Sequence, residues 1–112
     1  MESTRQLKVS KLLQKDLGEI FQRESKNLFR GAMITVTKVH VTPDLSLAKV
    51  HLSLFAIQNK DGLLDEIQSH NREIRYKLGQ RIGKQVRVVP ELHFFLDDSL
   101  DYIDNIERLL DE

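Results

Sequence analysis

The sequence predicts a single α+β domain over residues 1–112, in the element order α-β-β-α-β-α, with a three-stranded sheet and helices on one of its faces. Apolar residues recur at intervals of three and four in the helical segments, and β-branched residues are frequent in the segments assigned as strands. A long helical segment separates the second strand from the third, so the third strand can lie parallel to an earlier one. A two-layer arrangement is the simplest way to bury both patterns.

The first helix is predicted from Thr4 to Glu24, with Ser3 and Gln6 at the spacing of a capping box. Its apolar stripe comprises Leu7, Leu13, Leu17, Ile20 and Phe21, with Val9 and Leu12 near the edge. A second face is basic and consists of Arg5, Lys8, Lys11 and Lys15.

Residues 32–55 predict two antiparallel strands joined by the turn Thr42-Pro43-Asp44. The alternation changes phase between Val36 and Val39, which predicts a bulge there. In the second strand the apolar positions are Leu45, Leu47, Val50, Leu52 and Leu54, with a phase slip at Ala48. Lys49, His51 and Ser53 are assigned to the open face, and Phe55 and Phe94 to the core.

A long helix is predicted from an N-cap at Asp61 to about Ile82, where Gly83 ends it. Its apolar stripe (Leu63, Ile67, Ile74, Leu78, Ile82) is interrupted at His70 and Asn71, so either the helix kinks there or these side chains are partly exposed.

The third strand is predicted from Val86 to Leu96, at a sheet edge or with a bulge because of Pro90. Ser99 begins a short amphipathic last helix, about residues 99–111.

Composition excludes several classes of protein. The chain has no cysteine, which rules out disulfides, Cys-based zinc sites and thiol nucleophiles. It lacks a membrane-length apolar run and a secretory leader, so we expect a cytoplasmic protein with no membrane contact. The four histidines (His40, His51, His70 and His93) have no metal-ligand spacing, although His40 and His51 can meet across the sheet. We therefore expect no metal, no cofactor and no enzymatic activity.

The net charge of zero hides an asymmetry. Residues 97–112 contain seven acidic residues and one base, Arg108, so that 16 of the 17 bases and 10 of the 17 acids lie in residues 1–96. A basic body can attract a polyanion. The acidic last helix either is an ordinary solvated helix that packs on the domain or competes for the basic surface.

The densest basic stretch comprises Arg72, Arg75, Lys77, Arg81, Lys84 and Arg87, against the single acid Glu73. Together with Arg5, Lys8, Lys11 and Lys15 these residues are the predicted RNA-binding set, in which Arg gives bidentate phosphate contacts and Lys a point charge. The alternative is a solvated surface. With two tyrosines and no tryptophan, recognition of backbone and shape is favoured over base stacking.

Residues 89–100 read Val-Pro-Glu-Leu-His-Phe-Phe-Leu-Asp-Asp-Ser-Leu, and residues 44–50 read Asp-Leu-Ser-Leu-Ala-Lys-Val. These two segments resemble the V-P-E-L-x-F-x-x-D-x-S-[IL] signature and the D-L-x-x-A-K-V element of the ribosome-binding factor A family. The resemblance implies a KH-like fold of the second type. The family usually has Ala-x-Gly at an interhelical kink, where this chain has His70-Asn71-Arg72, and the region around Gly83 and Lys84 has two additional residues.

What the resemblance implies is a monomeric, cytoplasmic maturation factor for the small ribosomal subunit. Such a protein binds the RNA of free or immature subunits, assists maturation of the 5′ end of that RNA, and leaves before translation begins. Two other functions remain open: a protein–protein adaptor that uses the open face of the sheet, and a small hydrolase that uses His93 and Asp97.

Overall fold

A computed structural model describes residues 3–55 and 59–97 of the chain. The elements are α1 (Thr4–Leu28), β1 (Met33–Val41), β2 (Leu47–Phe55), α2 (Lys60–Ser69), α3 (Asn71–Ile82) and β3 (Glu91–Leu96). The predicted α+β class and the three-stranded sheet are confirmed. The last helix predicted at about 99–111 lies outside the described residues.

The sheet has the strand order β1-β2-β3. β1 and β2 are antiparallel, and β3 lies parallel to β2, as the helical crossover predicts. The register shifts between Val36 and Lys38, which confirms the predicted bulge. Thr37, at the bulge, donates a hydrogen bond from Oγ1 to the Asp97 carboxylate at 2.5 Å, and so links β1 to the residue that follows β3.

α1 starts with the predicted capping box: Ser3 Oγ accepts from Gln6 N at 3.1 Å, and Gln6 Oε1 accepts from Ser3 N at 2.8 Å. The helix continues to Leu28, one turn beyond the predicted end at Glu24. Placing Leu7 in the apolar stripe was wrong, because its side chain is 47% exposed. In this part of the helix the buried positions are the polar residues Gln6 and Ser10.

β2 keeps one phase throughout, which corrects the predicted slip at Ala48. Ala48, Val50, Leu52 and Leu54 are buried on the same face, while Leu47 lies on the other face and Leu45 belongs to the turn. Ser53 is buried, although it was predicted to lie on the wet face. Phe55, predicted in the core, is 63% exposed at the end of the strand.

The predicted long helix is two helices separated at His70. Its N-cap is Asn59, not Asp61, because Asn59 Oδ1 accepts from Gly62 N at 3.0 Å. α2 ends at Ser69 and α3 begins at Asn71, so the kink exists without a glycine in this chain. Gly83 is the C-cap of α3, as predicted.

β3 is shorter than the predicted strand, because it begins at Glu91 and not at Val86. Pro90 comes directly before it and is buried, so this residue without an N–H lies outside the ladder. The parity of Val86 and Val88 therefore has no bearing on the sheet, and Val88 is 67% exposed.

The core lies between the helices and one face of the sheet. Leu13, Leu17 and Phe21 of α1 pack with the even-numbered residues of β2 and with Leu92 and Phe94, and all five predicted stripe residues of α2 and α3 are buried here. Phe21 contacts Phe29 and Phe94, each at 5.9 Å between ring centroids. No helix of the described segments is long and apolar enough to cross a membrane.

Candidate nucleic-acid interface

A groove of about 360 Å³ lies where the start of α1, the β1–β2 turn and the segment before β3 meet. We call it the basic groove. Its charged lining residues are Arg5, Lys8, Arg87 and Asp44, and its other lining residues are Val9, Leu45, Gln85, Val86, Val88 and Pro90. It brings together cations from the two ends of the described chain.

The α1 side of the groove is fixed by the capping box and by one tertiary hydrogen bond. Gln6 Nε2 donates to the Val41 carbonyl at 2.9 Å, which attaches the first turn of α1 to the end of β1. Arg5 and Lys8 are three residues apart, so they project from neighbouring positions on the helix surface. Both side chains are exposed.

The turn side of the groove is organised by Asp44. Its Oδ1 accepts hydrogen bonds from Thr42 Oγ1 at 2.8 Å, Ser46 Oγ at 2.8 Å and Ser46 N at 3.1 Å. These hydrogen bonds lower the pKa of Asp44 from its usual 3.8, and the bond from the Thr42 side chain contributes most. The Asp44 carboxylate is ionised at neutral pH. Leu45 follows in the left-handed region at φ 61°, which lets the chain reverse before β2.

The third side is the segment between α3 and β3, which is held although it has no regular structure. Val86 N donates to the Ile82 carbonyl at 3.1 Å, and Arg75 donates to the carbonyls of Val89 at 2.6 Å and Pro90 at 3.2 Å. Glu91 N donates to the Ser46 carbonyl at 2.9 Å, joining this segment to the turn. Arg75, which was predicted to contact RNA, thus stabilises one wall of the groove through its hydrogen bonds.

The predicted RNA-binding residues fall into two groups in the structure. Seven of them are exposed and form no ion pair or hydrogen bond within the described residues: Arg5, Lys8, Lys11, Lys15, Arg72, Lys84 and Arg87. Cations in this state keep their full capacity to contact phosphates. They lie on the first half of α1, at the start of α3 and in the segment after α3.

The second group is engaged within the protein and comprises Arg75, bonded to Val89 and Pro90 as described above, together with Lys77 and Arg81. Lys77 Nζ lies 3.1 Å from Glu24 Oε1, and Arg81 Nε lies 2.9 Å from Asp16 Oδ1, with a further contact to Glu19. Both cations are half-buried. These pairs join α3 to α1, and a phosphate would have to displace a carboxylate to reach either cation.

The kink at His70 faces the outer edge of β3. Asn71 Nδ2 donates to the Leu92 carbonyl at 2.7 Å, and Gln68 Nε2 donates to the Phe94 carbonyl at 3.4 Å. The His70 ring lies edge-on to Phe29 at 5.8 Å, and its Nδ1 is 3.4 Å from Glu73 Oε2. Of the predicted kink residues, His70 and Asn71 therefore make structural contacts, whereas Arg72 is exposed to solvent.

The remaining histidines lie on the strands of the sheet. β1 and β2 pair His40 with Lys49 and Lys38 with His51, so His40 and His51 are diagonal neighbours and not directly opposite each other. Within residues 3–55 and 59–97, no group of three His, Asp or Glu residues is placed to hold a metal ion. His93 Nε2 lies 3.5 Å from Glu91, while Asp97 contacts Thr37, so the pair considered for hydrolysis has separate partners.

Several lining residues of the basic groove were not predicted from the sequence. Charge spacing identifies Arg5 and Lys8, but Asp44, Leu45 and Val88 join them only through the fold. Val88 was misassigned because its parity matches that of the strand. The signal that could have corrected this is Pro90, which marks the boundary before β3.

Comparison with known proteins supports one family. The family model "Ribosome-binding factor A" matches residues 5–110 of the chain. Ribosome-binding factor A of Cytophaga hutchinsonii is 46% identical over 110 residues, covering 98% of this chain and 83% of that protein. The chain has the fold of an α+β domain with the architecture of this family, and it belongs to the ribosome-binding factor A family.

Two structures are similar. The crystal structure of ribosome-binding factor A from Thermus thermophilus has a TM-score of 0.68 at 22% identity, and the match covers 81% of this chain and 94% of that one. The second is a homology model of Thermus thermophilus ribosome-binding factor A fitted into the cryo-EM map of a 30S complex. It has a TM-score of 0.62 at 26% identity, and the match covers 78% of this chain and 89% of that one.

Proposed function

We propose that this protein is a maturation factor that binds the RNA of free or immature small ribosomal subunits and assists maturation of the 5′ end of that RNA. The observation that carries the proposal is the set of seven exposed cations without an internal partner among the described residues, which includes the three of the basic groove. Family membership, and a relative fitted into a map of a 30S complex, support the small ribosomal subunit as the partner of this surface.

The proposed mechanism is electrostatic and steric. Cations that contact phosphates release counterions from the RNA, and this makes the affinity steeply dependent on salt. Arg5, Lys8 and Lys11 on α1 supply one line of contacts, and Lys84 and Arg87 supply another across the groove. The rest of the domain then occupies space on the subunit and prevents its use before maturation is complete. Neither a cofactor nor a chemical step is required.

The first test is sedimentation of cell lysate on sucrose gradients at low and high salt. We expect the protein to migrate with free small subunits at low salt and to return to the top of the gradient at high salt. Lys8→Glu combined with Lys11→Glu should remove it from the subunit fraction at both salt concentrations.

The matched control is Arg23→Glu combined with Lys26→Glu, which reverses the same number of charges at exposed positions near the other end of α1. This variant should still migrate with small subunits. Binding that resists high salt and tolerates the Lys8 and Lys11 reversals would contradict the proposal and favour the adaptor, whose contact would be the open face with Met33 and Phe95.

The role in RNA maturation is tested by depletion. Cells without the protein should accumulate small-subunit RNA with an extended 5′ end, measured by primer extension, and the wild-type gene should restore the mature end. The Lys8 and Lys11 reversals should fail to restore it while the control reversals succeed. Normal 5′ ends in depleted cells would exclude this part of the proposal.

A further inference from the structure

We infer that the basic groove is a site for a single unpaired nucleotide, with a preference for a base that carries an exocyclic amino group. This inference rests on the proposed function and deepens it, because it names the part of the RNA that this groove recognises. Three features of the groove support it: the apolar lining, the charges, and the Oδ2 atom of Asp44.

The groove combines cations with an apolar floor. Val9, Leu45 and Val86 are half-buried, Pro90 is buried, and Val88 remains 67% exposed. Contacts to the phosphates of an RNA backbone do not require such a floor, because phosphates are charged. An extruded base has two apolar faces and becomes accessible when it is unstacked, which is how single-stranded RNA is usually recognised.

The charges of the groove select a polyanion over a neutral or basic peptide. Arg5, Lys8 and Arg87 face one carboxylate, that of Asp44. None of these cations has a hydrogen bond or ion pair with another described residue. A nucleotide within a strand has a phosphate on each side, and cations on both walls can contact them while the base enters the groove. The planar guanidinium groups can also stack on the base.

Asp44 gives the groove a means to select among bases. All three hydrogen bonds described for its carboxylate go to Oδ1, while Oδ2 has no partner within the described residues. An ionised carboxylate oxygen is an acceptor only. It pairs with the amino group of cytosine, and it repels the O4 carbonyl that uracil has at the same position. The groove should therefore favour cytidine over uridine.

The test measures binding of the full chain to two labelled RNA decamers, oligocytidine and oligouridine, by fluorescence anisotropy. We expect oligocytidine to bind more tightly by roughly threefold to tenfold, the effect of one hydrogen bond. Asp44→Asn keeps an oxygen for the turn and replaces the free oxygen by an amide donor. The preference should then disappear or reverse, and the affinity for oligouridine should not decrease.

Matched controls separate this effect from charge alone. Asp65→Asn removes one negative charge at an exposed position of α2 and should leave the preference unchanged. Arg87→Gln should weaken both decamers equally and reduce the slope of log affinity against log salt by about 0.7. Lys26→Gln, an equal charge change outside the groove, should leave that slope unaltered.

The position of the nucleotide is tested with cytidine monophosphate by NMR. Amide shifts should be confined to residues 5–9, 42–46 and 85–90. Equal affinity for the two decamers, no binding of either, an unaltered preference in Asp44→Asn, or shifts confined to 68–71 and 91–95 would each overturn the inference. Subunit binding without a base preference would leave the proposed function intact, and a base preference without subunit binding would leave the groove as a single-strand site.

Discussion

Gln6 shows how one side chain can serve both local and tertiary structure. Its backbone N–H is bound by the Ser3 hydroxyl, its Oε1 accepts from Ser3 N, and its Nε2 reaches the Val41 carbonyl. The side chain is therefore buried with its polar atoms bonded, as buried polar groups require. The sequence predicts the capping box from the Ser-x-x-Gln spacing, but not the bond to β1, because that bond joins residues 35 positions apart.

Replacing Gln6 by Leu should destabilise the protein by about 1–3 kcal/mol. Leucine keeps most of the volume, but it lacks the Oε1 acceptor that completes the capping box, and it leaves the Val41 carbonyl without its donor. Urea unfolding followed by circular dichroism measures the loss as a lower midpoint at an unchanged slope. The control is Gln22→Leu at an exposed position of the same helix, and an equal loss in both variants would show that the buried bonds are not the cause.

At the scale of the element, the kink between α2 and α3 is held by side chains that cover a strand edge. β3 pairs with β2 on one side only, and its other edge presents carbonyls at Leu92 and Phe94. Asn71 and Gln68 donate to them from the two sides of the kink. From the sequence, the interruption of the apolar stripe at His70 and Asn71 allowed two interpretations, a kink in the helix or partly exposed side chains. The tertiary bond to Leu92 favours the kink without a glycine.

Asn71→Asp tests this account, because it exchanges the amide donor for an oxygen of equal size. At neutral pH the introduced carboxylate faces the Leu92 carbonyl, which destabilises the folded state. A negative charge at the start of α3 offsets a small part of this effect, so the net loss of stability should be about 1 kcal/mol. A protonated carboxyl can donate, so the pKa of this group should be raised in the folded state. The deficit relative to wild type should therefore shrink as the pH falls through that pKa.

The measurement is urea unfolding of both proteins between about pH 7 and about pH 4. This range lies above the ordinary pKa of an Asp carboxyl group and therefore includes a raised pKa. Asn27→Asp, the same exchange at an exposed position in the last turn of α1, is the control, and it should change stability by less than about 0.5 kcal/mol. A deficit that stays constant over this pH range would show that the donor to Leu92 does not hold the kink.

Helices and strands could be predicted where their own residues determine their bounds. They were predicted less well where contacts between distant parts of the chain determine those bounds. The bulge after Val36, the stop at Gly83 and the parallel third strand follow from local pattern and crossover rules. The start of β3 was predicted too early, at Val86 and not at Glu91, because Val86 and Val88 continue the alternation of the strand. What ends the pairing there is the Pro90 position together with the bonds from Arg75 to Val89 and Pro90.

For the whole molecule, the distribution of paired and unpaired cations separates stability from binding. Periodicity places the predicted basic residues on helix faces and in one loop, but it cannot tell which of them has a carboxylate opposite. Asp16, Glu19 and Glu24 of α1 engage Arg81 and Lys77 because α1 and α3 pack side by side in the same layer. These pairs join residues 53 and 65 positions apart, which sequence spacing does not reveal.

This distribution predicts opposite behaviour for two neutralising changes. Arg81→Gln breaks a half-buried pair and leaves Asp16 without its partner, so stability should fall by about 1–2 kcal/mol. Its RNA affinity should keep the wild-type salt slope. Lys11→Gln should change stability by less than about 0.5 kcal/mol, since this exposed cation has no partner among the described residues. It should lower the salt slope by about 0.7–0.9, the contribution of one phosphate contact.

Urea unfolding and filter binding to RNA extracted from small subunits, over a series of salt concentrations, measure both quantities on the same preparations. A double-mutant cycle with Asp16→Asn isolates the pair, because the second change should cost little once Arg81 is neutral. If Arg81→Gln lowered the salt slope as much as Lys11→Gln, Arg81 would contact phosphate despite its carboxylates. The separation of stabilising cations from RNA-binding cations would then be wrong, and the RNA surface would extend from the basic groove across the junction of α1 and α3.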